Sequence, residues 1–439
     1  MTADQRAPAR SFGYWFLASR PTWIELAVFS LLFYFPLFFS ATRTPFYGDE
    51  KLSVQMSPAL DAFLEGKFRN PDFFGYGYPT VTAPPMTRYV ARLGRRFGTT
   101  HPDPESKELL KERGLLWAFT HTDFGFQILM DYRRPFIIIG VLCGLLMARG
   151  AYLLGGRVTG WVFVLLFRYD WFFRHNLPMV MNEGPLLLFA LLAALECYSL
   201  LRDMEEFSLP TGRFLRRAAV CGLWVGLSTA SKINGAVGVG AGVLTILLGM
   251  IGRKMRGLFA QPWLCFLAMF LVGAVALGTF IAINPFLYND TVARMLAMVG
   301  HRLERLHAQP HIFRSLRVNN FADLAGWLAM MYDEWSGLRF PGATRVNFVL
   351  SMGGLLAAVV MALRWLKGEA ESPAGLVAVV WGGCLAAPIF YTTIAWMRYF
   401  LFPVMVTQIS IALALGLLFR AAVDRAFPGW RFIDETPTA

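Results

Sequence analysis

Charge is what this chain has least of. Only 16% of its 439 residues are Asp, Glu, Lys or Arg, against about a quarter in ordinary soluble domains. Too few charges are present to coat a water-facing surface of that length. Cysteine is also scarce: Cys143, Cys197, Cys221, Cys265 and Cys384 each lie inside an apolar run without a close CxxC partner. That excludes a disulfide framework and a cysteine zinc site, and leaves small core hydrophobes. Histidine is rare, and although His301, His307 and His311 cluster, Pro310 breaks the helical spacing of the last two and no carboxylate pattern accompanies them. No metal centre is expected there. The stretch GGRVTG lacks the lysine of a phosphate-cradling loop, which argues against nucleotide-driven chemistry. No internal repeat, low-complexity tract or separable soluble domain appears, so residues 1–439 are read as one polytopic unit.

What fills the chain instead is apolar. Hydrophobic residues make up 56% and aromatics 15%, with a mean hydropathy of +0.47. The composition is that of a polytopic membrane protein. Its net charge of +12 raises the question of nucleic acid, but Lys and Arg fall in short clusters between apolar runs. No nucleic-acid partner is expected.

Segments of roughly 17 to 22 apolar residues match a hydrocarbon core of about 30 Å. They occur at Trp23–Ser40, Pro135–Leu154, Thr159–Phe173, Pro185–Leu201, Gly235–Ile251, Trp263–Ile283, Val346–Leu363, Gly375–Ile394 and Tyr399–Phe419. Ala218–Ser231 is shorter, and by itself fits a re-entrant piece equally well. With this tenth span included, every basic cluster from Arg6 to Arg425 falls on one face, as the positive-inside rule requires; with nine, the last three do not. The expected fold is therefore all-α with about ten transmembrane helices, both termini cytoplasmic, in a plasma membrane of the bacterial inner-membrane type. The basic N-terminus precedes an apolar segment too long for a signal core, so that segment is expected to be a retained first helix.

This topology places residues 41–134 and 284–345 outside as two long extracytoplasmic loops. Such loops carry structure or function in compact proteins. KLSVQMSPALDAFLEGKF and PPMTRYVARLGRRFG have helical apolar spacing, predicting amphipathic interfacial helices with Arg92, Arg95 and Arg96 near lipid phosphates.

The stretch FYGDEKL sets Asp49 and Glu50 just beyond the first span. Partial burial of adjacent carboxylates raises the pKa of one, as a general base requires; a solvated pair tethering an arginine is the plainer reading. Later come YGYPTVTAPPMTRYVARL, RHNLPMVMNEGPLLLF, GLSTASKINGAVGV and IAWMRYFLFPV. In this order the elements resemble the C-type superfamily of integral-membrane glycosyltransferases, in the branch of protein O-mannosyltransferases and aminoarabinose transferases. The resemblance runs from Asp49 to Pro403 through short motifs.

The resemblance implies that Asp49 deprotonates or orients the acceptor, with Glu50 as its companion and Glu183 as the second acid. Arg88 falls where the family's Pro-Pro element has a Lys, while Ala83 stands in place of its His and Thr87 in place of a Gly. It also implies a polyprenyl-phosphate sugar as donor, membrane lipids around it, and a protein, lipid or glycan acceptor. Cations must then surround the leaving phosphate, where negative charge develops. Arg88, Arg398 and Lys232 are the candidates, although Arg398 beside Trp396 and Tyr399, and Lys232 at a membrane turn, also read as snorkelling residues. In FRYDWFFRHN, Arg168 and Asp170 pair or face a cavity, which His175 and Asn182 could also line. No cofactor is expected; a divalent ion held by Asp49 and Glu183 is the less favoured alternative. The rival reading is a catalytically silent scaffold serving as a structural subunit in a larger membrane complex.

Overall fold

A computed structural model describes residues 21–46, 50–75, 84–206, 210–258, 261–340, 342–370 and 372–426. Asp49 and Ala83 lie outside the described residues. Among them the chain is helical, without a strand. The order begins with α1 (Trp23–Arg43), followed by the short helices α2 (Glu50–Gln55), α3 (Ala59–Leu64), α4 (Pro71–Phe74), α5 (Met86–Arg96), α6 (Pro104–Arg113) and α7 (Leu115–His121). Then come α8 (Asp123–Tyr169), α9 (Trp171–Asn176), α10 (Glu183–Asp203), α11 (Thr211–Ser231), α12 (Val237–Met255) and α13 (Pro262–Ile283). After α14 (Thr291–Ile312) and α15 (Phe321–Met330), the chain closes with α16 (Ala343–Lys367), α17 (Ala374–Ala386) and α18 (Leu401–Ala426).

Seven of the described helices are long and apolar enough to cross a membrane, which makes the chain a multi-pass membrane protein. Three expected spans account for the difference from ten. α8 counts once although non-helical backbone at Gly155 and Gly156 divides it. Gly156 has φ of 77°, a conformation that strongly favours glycine. The halves on either side run in opposite directions along α1: Phe29 meets Tyr152 and Trp161, whereas Phe33 meets Phe167 and lies against Gly144. α8 is therefore a helical hairpin, turning where GGRVTG reads as a turn.

α11 extends the short Ala218–Ser231 segment to 21 residues. Its first turns admit charge because Arg213 and Arg217 pair with Asp203 at 2.8 and 3.0 Å. Its far half packs tightly on α13, since a Cβ at Gly222 would sit 2.7 Å from the Val272 carbonyl and one at Gly226 2.6 Å from that of Ala276. Glycines four apart let the two backbones touch. α17 has 13 residues, too few to span as a continuous α-helix.

At its start, α1 carries a capping box in which Thr22 and Glu25 satisfy each other's backbone N–H groups. Glu25 also accepts from Arg157, Tyr152 and Trp161, so one buried carboxylate ties α1 to the hairpin of α8. The small helices between α1 and α8 and those between α13 and α16 gather at the opposite end. There α5 packs on α8, burying Thr87, Arg88, Tyr89, Ala91 and Gly94. Arg92 and Arg95 pair with Asp61 at 2.5 Å and Asp131 at 3.3 Å.

Candidate functional site

At that end, several elements enclose a cavity of about 470 Å³. α2 contributes Lys51, Leu52, Ser53 and Gln55; the start of α5 contributes Pro84 and Arg88; the turn into α10 contributes Met181, Asn182 and Glu183. Lys232 and Ile233 come from the link between α11 and α12. The remaining wall holds Arg302, Arg305, Gln309 and Phe313 of α14, with Trp396, Arg398 and Tyr399 ahead of α18. Five residues singled out in the sequence, Arg88, Asn182, Glu183, Lys232 and Arg398, thus meet in one place although more than 300 positions separate the first from the last. Asn182 holds the N-cap position of α10 without making a side-chain capping bond.

Electrostatics set the character of the cavity. Six basic residues, Lys51, Arg88, Lys232, Arg302, Arg305 and Arg398, face Glu183 as the one carboxylate among its described lining residues. Glu183, 3% exposed, accepts Lys232 Nζ at 2.8 Å. Lys232 Nζ lies 5.0 Å from the centre of the Tyr399 ring, and the Arg302 and Arg398 guanidinium carbons each lie 6.0 Å from it. Three cations therefore converge on one aromatic ring, with Arg302 Nη2 donating to the Tyr399 hydroxyl at 3.5 Å. Arg398 also stacks 4.3 Å above Trp396. Burial pulls the Arg88 guanidinium down to about 10, which leaves it charged at neutral pH. Such a set of cations has the chemistry to hold an anion with planar or tetrahedral oxygens.

The other described site candidates, Glu50, Asp170 and His175, are not among the residues that line the cavity. Glu50 is fully buried and bound by Arg133, whose Nε donates to Oε1 at 2.9 Å and Nη2 to Oε2 at 2.6 Å. Arg133 Nη1 also donates to the Ala41 and Thr44 carbonyls, and Glu50 Oε1 accepts the Val180 N–H at 3.0 Å. This pair joins the end of α1, the start of α2 and the turn leading to Asn182, so it positions two cavity walls without entering the cavity. Asp170 caps α9 through Phe173 N at 2.8 Å and accepts Gln408 Nε2. Arg168 lies 5.8 Å over Tyr169, and His175 stacks on Trp171 at 4.9 Å. His301 pairs with Glu304 at 3.1 Å on the exposed side of α14, which continues through Pro310 to Ile312.

Lys51, Arg302, Arg305 and Gln309 line the cavity without being marked as site residues in the sequence. The last three repeat at i, i+3 and i+7, a signal that marks one face of a helix. It was masked because the same stretch carries His301, Glu304 and His307 on other faces. Lys51 stands next to two acids and carries no comparable mark.

No family model matches the chain, and no curated protein matches it. Among solved structures, the oligosaccharyltransferase of Archaeoglobus fulgidus in its apo form has a TM-score of 0.50 at 13% identity, covering 94% of this chain and 52% of that one. ArnT from Cupriavidus metallidurans in the apo state gives 0.48 at 13% identity, covering 93% of this chain and 61% of that one. The chain spans about half the length of the archaeal protein. The likeness to it is one of fold: an all-α membrane architecture.

Proposed function

We propose that this chain is a membrane glycosyltransferase that takes a monosaccharide from a polyprenyl-phosphate donor and passes it to an acceptor hydroxyl at the extracytoplasmic face. The excess of six basic residues over one carboxylate among the cavity's described lining residues carries the reading. A donor of this kind presents a phosphodiester at the membrane boundary, and a cavity at one end of the bundle meets it there. The opposite end bears Arg149, Arg157, Arg202, Arg253, Lys254 and Arg364, which supports placing the cavity outside and the termini in the cytoplasm. A bacterial inner membrane fits this arrangement.

In the proposed reaction the acceptor oxygen attacks the anomeric carbon as the bond from that carbon to the phosphate oxygen breaks. The bonding pair leaves with polyprenyl phosphate, whose added negative charge meets Arg398, Arg302 and Lys232. Asp49 takes the acceptor proton, the role that the family resemblance implies for it. Glu183 holds Lys232 in position, and Glu50 holds α2 through Arg133. No divalent ion is called on, since six cations would repel one and Glu183 is already bound to Lys232. The acceptor would be a protein, lipid or glycan.

One observation favours a second reading, a silent scaffold within a larger membrane complex. Both described acids of the motif set, Glu50 and Glu183, are bound to cations. A transfer assay in detergent with a panel of polyprenyl-phosphate sugars separates the two, comparing the native chain with Asp49→Asn. Transfer that drops at least about a hundredfold in the variant supports the enzyme and its base. Equal rates would remove Asp49 from that role, and no transfer from any donor by folded native protein would leave the scaffold.

A further inference from the structure

The cavity face of α14 changes character along its length. Arg302, Arg305 and Gln309 recur at spacings of three and four, so they share one side of the helix, and Phe313 follows as its C-cap. Only the first two are charged. One turn beyond Arg305, roughly 6 Å along the axis at 1.5 Å per residue, this helix face becomes neutral, with Arg398 standing across from it over the Trp396 ring. Gln309 is 5% exposed, and its Oε1 has no hydrogen-bond partner among the described residues. That oxygen is itself shut off from the cavity, a costly arrangement for an amide without a donor, so a ligand reaches it once the side chain turns. The last torsion of the side chain is soft, so a turn about it offers the cavity either the oxygen or the NH₂. Phe313 meets Trp396 edge to face at 5.1 Å, and both rings line the same cavity.

The backbone fixes this corner. Pro310 has no N–H to give the Leu306 carbonyl, which instead accepts Thr393 Oγ1 at 2.7 Å. The same segment is tied again where Ala395 N donates to Leu316 O at 2.8 Å. Gln309 and Phe313 are thereby held against the strand of chain that carries Trp396.

We infer that Gln309, Phe313 and Trp396 form the subsite for the donor's sugar, a neutral ring bearing hydroxyls; the inference rests on the glycosyltransferase reading above. A carboxamide can accept from one hydroxyl and donate to another, while aromatic carbon covers the apolar C–H face of the ring. A pyranose is about as long as one helical turn. A sugar phosphate laid along α14 therefore sets its phosphate at Arg302 and Arg305 and its ring at Gln309. This separates the two tasks of the cavity: the arginines recognise any polyprenyl phosphate, and Gln309 recognises what is attached to it.

The test measures binding of two probes to the full chain in detergent: undecaprenyl phosphate alone, and undecaprenyl phosphate carrying glucose or mannose. Gln309→Met keeps the length of the side chain and removes the amide. It is expected to weaken the sugar-bearing probes about tenfold, the worth of one neutral hydrogen bond, and to leave the sugar-free probe unchanged. Arg302→Ala is expected to weaken both. Equal weakening of both probes by Gln309→Met, no weakening, or a native chain that binds both equally would overturn the sugar subsite while keeping the lipid-phosphate site. Binding of neither probe by the native chain would overturn the underlying reading as well. Should Gln309→Met fail to fold, Gln309→Asn, with its amide drawn back by one methylene, is read against the same pair of probes.

Discussion

The two ends of the helical bundle use the same residue types to opposite effect. At the end away from the cavity, acids and bases close on each other: Glu25 on Arg157 at 2.7 Å, Asp203 on Arg213 and Arg217, and Glu205 on Arg202 at 3.1 Å. At the other, six basic residues share one described carboxylate across an open cavity. Closed pairs hold helices together. A cavity lined mostly by one sign of charge instead focuses a positive field that favours an anionic ligand. The Glu50–Arg133 pair shows that the distinction is one of environment and not merely of location, because it lies at the cavity end yet is fully buried and structural.

The largest expected effect comes from breaking a closed pair. Arg157→Ala would strand the Glu25 carboxylate in a buried setting, at a cost of about 3–5 kcal/mol, seen as a marked fall in the thermal midpoint in detergent. Near-native stability in that variant would erase the contrast between the two ends. Arg398→Ala should do the reverse, lowering transfer by about a hundredfold through lost stabilisation of the leaving phosphate while the midpoint hardly moves. A matching loss of stability would make Arg398 structural. The smallest effect belongs to Lys51, exposed on the rim of the cavity. Lys51→Ala should weaken binding of undecaprenyl phosphate only a few-fold at low salt and less at higher salt, since exposed charges are screened. A salt-independent loss would place Lys51 in direct contact with the phosphate.

The membrane class, the two long connections and five cavity residues were legible because each leaves a local mark. Apolar runs of spanning length report helices, Lys232, Arg398 and Asn182 lie at the ends of such runs, and Arg88 and Glu183 are picked out by the motifs of the family the chain resembles. The roles of Glu50 and Asp170 were not legible, since a carboxylate at a membrane boundary looks the same whether it faces a cavity or a buried arginine. Only Arg133, 83 residues beyond Glu50, decides that case. Pro310 misled for a related reason. A proline inside a helix costs a hydrogen bond, and Thr393 supplies the replacement from another part of the chain.

The sequence by itself determined that the chain spans a membrane as helices, because an apolar solvent forces every backbone group to be satisfied within its own segment. It also determined where charge is tolerated along each span. Tertiary structure alone decided which charges cancel and which remain for a ligand. Pairing depends on distances between side chains that come from helices far apart in the chain, and the spacing within one helix is silent about what faces it.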